Sequence, residues 1–342
     1  MTQFTIDVSN HDTARLHGRT LDWARVRASG IVGMCAKATE GDPGAAYHYE
    51  DPTFSAHVNA AHFAGMPLIG GYHVLAHPGE PGAMMRQVRW LLDHLGHGMW
   101  AMVDVEPFQE LADRGIVPDW TDVQMFCGIW SGVTKGRPLG VYLPKWVWSG
   151  YLGSPDMSHL PSNCFLIASD YGANGVASPA TLYAGLGGST GRGWATYGGR
   201  APELWQFGAK AQVPGASDAT DVNAWLGSLA QLQKRLLGGA MTSPFTPGQE
   251  NAFTLMYQAA HAVVNGETAT VSGGGQPGGD EVYLTKALRQ IIEGIANWPL
   301  TVTITDTQAA AMADAIAVKL AAIHAESIAV AVAEELQRRL AA

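Results

Sequence analysis

Short apolar runs of five to nine residues recur along the first two thirds of the chain, and they are rich in branched and aromatic residues. Eight of them read as strands: "FTIDVS" (4–9), "GIVGMCAKA" (30–38), "PLIGGYHVL" (67–75), "WAMVDVE" (100–106), "PLGVYLP" (138–144), "CFLIASDYG" (164–172), "ELWQFG" (203–208) and "ATDVNAW" (219–225). Between them, 52–65, 82–96 and 119–135 have helical apolar spacing. "DPTFSAHVNAAHFAG" opens on an acid and closes on a glycine, as a helix does. Alternating strands and helices predict an α/β fold, and eight strands favour a closed barrel over an open sheet. The later strands leave little room for helices, so a regular eightfold (β/α) barrel fits poorly. Residues 185–200, "GLGGSTGRGWATYGGR", read as a glycine-rich loop insertion without the spacing of a phosphate cradle.

The pattern changes near residue 240. Residues 1–238 form the expected barrel domain. Residues 239–281 are a linker carrying one amphipathic helix, "QENAFTLMYQAAHAVVNG", and a flexible tether, "SGGGQPGGD". Residues 282–342 form a small, mainly helical region. It contains "YLTKALRQIIEGIANW", a short alternating run, and a helix of about 30 residues opened by a capping-box pattern at Thr305 and Gln308. The Ile316, Leu320, Ile323 and Val330 stripe on that helix leaves two readings: homo-oligomer formation through it, or a hairpin packed on 283–298.

Composition narrows the function. The 342 residues are 47% hydrophobic and 15% charged, with a formal net charge of −9. That charge argues against nucleic-acid partners, and no run is apolar and long enough to insert into a membrane. Cys35, Cys127 and Cys164 lack metal-ligand spacing and read as reduced core residues. His73 and His77 are four apart but outside any apparent helix, so no metal site is expected. No cofactor is expected either. "MTQFTIDVSN" lacks the basic and apolar regions of a signal peptide.

The chemistry lies in polar residues at strand ends, where barrels of parallel strands carry function. "WAMVDVE" places Asp104 and Glu106 two apart, hence on one strand face, with Val103 and Val105 on the other. The other strand ends offer Asp7 and Ser9; Lys37, Thr39 and Glu40; Tyr72 and His73; Tyr142; Asp170 and Tyr171; Trp205 and Gln206; and Asp221 and Asn223. A rim holding Asp7, Asp104, Glu106 and Asp221 would crowd like charges and raise a carboxyl pKa, as a general acid near neutral pH requires. Several acids among aromatics suggest glycoside hydrolysis. Ten of the eleven tryptophans precede residue 240, which suits sugar stacking and core packing alike.

Eight segments then fall in a familiar order: "DVSN", "LDWARVRASGI", "KATEG", "AAHFAGMPLIGGYHV", "MVDVEP", "GVYLPKWVW", "ELWQFG" and "VPGASDATDVNAW". Over about residues 4–228 the chain resembles glycoside hydrolase family 25, the Chalaropsis-type muramidases of bacteria, fungi and phages. The resemblance implies an irregular (β/α) barrel of five β/α units and three further strands. It also implies cleavage of the β-1,4 bond between N-acetylmuramic acid and N-acetylglucosamine in peptidoglycan. By position, Glu106 matches the proton donor and Asp104 its partner acid. Asp7 and Asp221 match the other acidic pocket residues, and Tyr72, His73, Trp205 and Gln206 match the sugar site. Lys37, Tyr142 and Tyr171 join them as candidate substrate contacts from their strand-end positions.

Three features depart from the family pattern. The segment between "DVSN" and "LDW" is long and rich in charge and histidine. Asp218 stands near Asp221 as a second candidate acid, and in the 185–200 loop Trp194 or Tyr197 could meet glycan or pack the loop. The expected setting is a phage endolysin, held in the host cytoplasm until a holin releases it to the cell wall. A virion-associated lysin and a non-catalytic glycan-binding module are the alternatives. A chitinase-type barrel is disfavoured because Met102 stands where such barrels carry an extra aspartate.

Overall fold

The computed structural model describes residues 2–238 apart from 97, 173 and 218. The linker, helices and oligomerising stripe expected beyond 238 lie outside the described residues, as does Asp218.

The eight expected strands are all present. They are β1 (Thr2–Val8), β2 (Ile31–Gly41), β4 (Leu68–Val74), β5 (Trp100–Asp104), β6 (Leu139–Tyr142), β7 (Cys164–Ser169), β8 (Leu204–Ala211) and β9 (Thr220–Leu226). A ninth strand, β3 (His48–Glu50), was not anticipated and pairs antiparallel with the end of β2. The sheet order is β1-β9-β8-β7-β6-β5-β4-β2-β3, and β1 also pairs with β2. Eight strands therefore close into a barrel with β3 outside it. From β1 through β2, β4, β5, β6, β7 and β8, successive neighbours run parallel. β9 runs antiparallel to both β8 and β1.

The expected helical stretches at 52–65, 82–96 and 119–135 contain α3 (Phe54–Phe63), α4 (Ala83–His94) and α6 (Trp120–Val133). Helix α6 begins where Asp119 accepts from the Asp122 N–H at 3.0 Å and Asp122 accepts from the Asp119 N–H at 2.8 Å. It buries Val123, Phe126, Cys127 and Trp130, an i, i+3, i+4, i+7 stripe. Shorter helices lacked enough periods to be recognised from sequence: α1 (Asn10–Arg15), α2 (Trp23–Ala28), α5 (Gln109–Ala112), α7 (Lys145–Gly150) and α8 (Pro179–Gly185). Among the described residues no helix intervenes between β8 and β9. This is the irregularity that the shrinking spacing foretold.

Strand alternation divides the buried side chains into two sets. Outward residues such as Val8, Val103, Val105 and Phe207 pack under the helices in the larger core. Inward residues Cys35, Leu68, Trp100, Met102, Phe165, Ile167 and Leu204 fill the barrel. Helix α9 (Leu229–Leu237) adds Leu232 and Leu236 to this interior cluster. Trp100 crosses the interior because Gly70 leaves room: a Cβ there would lie 2.5 Å from the indole. The indole N–H donates to the Met34 carbonyl at 3.1 Å.

The 185–200 segment is no loose insertion. It forms two short 3-10 turns, Gly188–Thr190 and Arg192–Trp194, packed on the outer face of β8. A Cβ on Gly193 would come within 2.0 Å of the Trp205 indole, so only glycine permits this approach. Trp194 donates to the Gly188 carbonyl at 3.1 Å, and the Tyr197 hydroxyl donates to the Leu143 carbonyl. Both aromatics pack the segment.

Candidate active site

The inward set changes from apolar to acidic toward one end of the barrel. On β5 the inner face runs Trp100, Met102, Asp104, and the next inward position is Glu106, just past the strand. Backbone pairing continues beyond the strand, with the Val105 N–H donating to the Tyr142 carbonyl at 2.9 Å. The two acids thus share one face, as their spacing requires. Asp7 is inward on β1, opposite Cys35 of β2 on one side and Asp221 of β9 on the other. The strand-end rule needs one amendment here. β9 is antiparallel, so it presents its first residues, Asp221 and Asn223, to the rim where its neighbours present their last.

Amide groups hold Asp7. Its Oδ2 accepts from Gln206 Nε2 at 2.8 Å and from Asn223 Nδ2 at 2.9 Å. The Gln206 carbonyl in turn accepts from the Tyr142 hydroxyl at 2.6 Å and from the Tyr171 hydroxyl. The two phenol oxygens are 3.1 Å apart. This chain runs from Asp7 across β8 to β6 and the end of β7. Asp7 Oδ1 and Asp104 Oδ1 are buried and have no hydrogen-bond partner among the described residues.

Burial dominates the electrostatics. It raises the Asp7 carboxyl to about 6, against the lowering effect of its two amide donors. It raises Glu106 to about 7. Asp104 is also pushed well up, first by burial and then by Glu106, with Lys37 opposing the rise. Asp221 rises by burial and by the nearby Asp7, Asp12 and Glu106. Such crowding lets the pocket hold a proton near neutral pH on an acid that would otherwise be ionised.

The candidate sugar contacts divide. Tyr72, Tyr142, Tyr171 and Gln206 face the acids; burial and then Asp104 push the Tyr72 phenol upward. Lys37 is inward but its ammonium is engaged by Glu40 at 2.5 Å. His73 and Trp205 are corrected: each faces out of the barrel. A strand cannot turn two successive side chains to one side, so Tyr72 excludes His73 and Gln206 excludes Trp205. His73 Nδ1 bonds Thr39 Oγ1 at 2.8 Å, its Nε2 bonds the Gln87 carbonyl oxygen at 3.0 Å, and its ring stacks on Phe126 with centroids 5.6 Å apart. Burial lowers it to about 4, so it is neutral there. Trp205 packs against Tyr183, Trp194 and Phe207.

Asn223 stands at a strand end and holds Asp7, and Ser169 of β7, outside the residues picked from sequence, lies near enough to the Tyr142 and Tyr171 phenols to oppose the rise that burial causes in them. The two-residue spacing of Asn223 from Asp221 was the available signal. Away from the pocket, ligand atoms of His77, Asp119 and Asp122 lie within 4.8 Å of one another. Asp122 there already accepts from His77 Nδ1 and the Asp119 N–H, both at 2.8 Å, which makes this a helix cap.

The family model "Glycosyl hydrolases family 25" matches residues 6–216. No curated protein sequence matches the chain. Similar solved structures include a bacterial lysozyme from Streptomyces coelicolor, 22% identical, covering 68% of this chain and 96% of its own, with a TM-score of 0.48. A muramidase from Acremonium alcalophilum is 20% identical over 68% of this chain and 98% of its own, with a TM-score of 0.46. The catalytic domain of endolysin ply40 from Listeria monocytogenes bacteriophage P40 is 15% identical over 69% of this chain and 97% of its own, with a TM-score of 0.48. With the family model covering most of the barrel and the acids assembled at its rim, the chain belongs to glycosyl hydrolase family 25.

Proposed function

We propose that this glycoside hydrolase is a muramidase that cleaves the β-1,4 bond between N-acetylmuramic acid and N-acetylglucosamine in peptidoglycan. One observation carries the reading: Asp104 and Glu106 share the inner face at the end of β5, and burial raises Glu106 to about 7. Glu106 then keeps its proton near neutral pH and gives it to the glycosidic oxygen as the bond breaks. Positions i and i+2 on a strand are about 6.6–6.8 Å apart at Cα, so both acids approach the sugar from one side. This arrangement suits assistance by the substrate's own 2-acetamido group. Its carbonyl oxygen attacks the anomeric carbon while an Asp104 oxygen accepts its N–H as positive charge develops there. Water later opens the cyclic intermediate, with Glu106 as the base. Asp7, held by Gln206 and Asn223, fixes the charge behind Asp104, and Asp221 completes the acidic rim. Tyr72, Tyr142 and Tyr171 offer faces and hydroxyls to the sugars. The biological setting we infer is a phage endolysin acting on the host wall.

The test is Glu106→Gln. The variant should keep the wild-type circular dichroism spectrum and lose nearly all lysis of cell-wall suspensions. In the wild type kcat/KM should fall tenfold per pH unit above about pH 7, as the raised Glu106 carboxyl loses its proton. Borohydride reduction of the products should label muramic acid ends. Label on glucosamine ends, or full activity in folded Glu106→Gln, would refute the assignment.

A further inference from the structure

Tyr171 meets the pocket from a place that no strand holds. β7 ends at Ser169, whose ladder partner is Gln206, and the chain then turns through Gly172 and Asn174, both at positive φ. Tyr142 differs: it lies on β6, paired with Asp104 on one side and Ile167 on the other. The two neighbours of Tyr171 are held from outside the barrel instead. Before it, the Asp170 N–H donates to the Gln206 carbonyl at 3.1 Å, and the Asp170 carbonyl accepts the Trp205 indole N–H at 3.0 Å. Asp170 Oδ1 accepts from Arg192 Nη2 at 2.6 Å and from the Gly172 N–H at 3.2 Å. After it, Gly172 lies against Leu186, whose side chain a Cβ there would meet at 2.5 Å. Leu186 and Arg192 both belong to the glycine-rich 185–200 segment. Gly191 and Gly193 of that segment press on the Trp205 ring, leaving room for a Cβ at no more than 2.6 Å and 2.0 Å from it. One segment therefore bears on Tyr171 by three routes: Arg192 on Asp170, the glycines on Trp205 and so on Asp170, and Leu186 on Gly172.

We propose that the 185–200 segment is the back support of the pocket: Arg192 and Trp205 are positioning residues that hold Asp170 and thereby set the Tyr171 phenol on Gln206, where the sugar binds. The inference rests on the muramidase reading. The placement reaches the acids because Gln206 is shared: its carbonyl oxygen accepts the Tyr171 hydroxyl, and its Nε2 donates to Asp7 at 2.8 Å. The Arg192 side chain is 67% exposed, and an ion pair so open to water adds little stability. Its contribution is geometric, supplying past the end of β7 the restraint that the ladder gives Tyr142.

The experiment is steady-state kinetics of the full-length chain on soluble peptidoglycan oligomers. The variants are Arg192→Ala, Arg192→Lys, Trp205→Phe, Tyr171→Phe, and Arg192→Ala combined with Tyr171→Phe. Arg192→Ala and Trp205→Phe should each raise KM about two- to tenfold, the range that one hydrogen bond spans, with kcat unchanged. Arg192→Lys keeps a charged donor and should restore most of the loss. In the Tyr171→Phe background Arg192→Ala should raise KM no further, because the hydroxyl it places is gone. A KM effect that survives in that background would make Arg192 a direct substrate contact and overturn the inference. An unchanged KM in Arg192→Ala or in Tyr171→Phe would overturn it as well. A second readout needs no substrate: in NMR spectra of ring-labelled tyrosines, the Tyr171 signal, assigned by its loss in Tyr171→Phe, should move in Arg192→Ala. A signal that stays in place would overturn the inference whatever the activity. A signal that moves in a protein whose wild type is inactive on peptidoglycan would refute the muramidase reading alone.

Discussion

Asp7 should cost the fold stability at neutral pH, and Asp7→Asn should recover it. The carboxyl rises from 3.8 to about 6 when buried. The difference, roughly 2.2 units at ~1.4 kcal/mol per unit, is ~3 kcal/mol. The sign follows from proton uptake. Between those two values the folded protein binds a proton that the unfolded chain has lost. The stabilising proton is fully present below pH 3.8 and is lost as pH rises through about 6. Asn at position 7 carries no such titration. Its carbonyl oxygen can take the place of Oδ2 and accept from Gln206 and Asn223, while its amide occupies the position of the unpartnered Oδ1. Asp7→Asn minus wild type should therefore change by ~3 kcal/mol in favour of the variant between pH 3.5 and pH 7.5. For a domain of this size that is about 6–12 °C in Tm. Thermal unfolding followed by tryptophan fluorescence across that range is the assay. Packing differences would offset the two curves equally at every pH. A Tm difference that does not vary with pH would refute burial of an ionised Asp7.

Two other predictions concern residues whose roles the fold separates from the pocket. His73→Ala removes the bonds to Thr39 and Gln87 and the stack on Phe126. It should cost about 2–4 kcal/mol in urea unfolding and leave KM unchanged; a raised KM at unchanged stability would return His73 to the sugar site. Leu236→Ala opens a void in the interior cluster and should cost about 2–5 kcal/mol without changing the pH profile of kcat/KM. An unchanged urea midpoint would show that α9 does not seal the barrel.

Long, strongly periodic elements were legible. The stripe of α6, the acidic opening and closing glycine of the α3 segment, and the eight apolar strands each repeat their pattern often enough to be read locally. Helices of four to seven residues have at most two turns of apolar spacing, and α1, α2, α5, α7 and α8 escaped for that reason. The hairpin strand β3 has an exposed, intermediate, exposed pattern over three residues and carries no core signal. In the site, Asp104 and Glu106 were legible because a spacing of two on a strand admits one arrangement. His73 and Trp205 obey that same rule and face outward, because side-chain alternation outweighs the polar character of a strand end. The glycines of 185–200 read as loop because sequence does not reveal that Gly193 makes room for a tryptophan twelve residues on.

The reversed strand explains how one rim gathers four acids. Seven strands of the barrel run in parallel order and offer their C-terminal ends together. An eighth parallel strand would need a crossover segment, commonly a helix, to bring it back. The short connection from β8 gives an antiparallel return instead, so β9 begins where the others end. Asp221 then faces Asp7 directly across the β1–β9 register, and Asn223, paired with Thr5, supplies one of the two amides that hold it. Gln206, on the strand to the other side of β9, supplies the second. The antiparallel closure thus does two things at once. It adds a fourth carboxylate to the rim, and it delivers the donors that keep Asp7 able to ionise although buried. A parallel β9 would present Trp225 and Leu226 at that position, with neither the acid nor the amide.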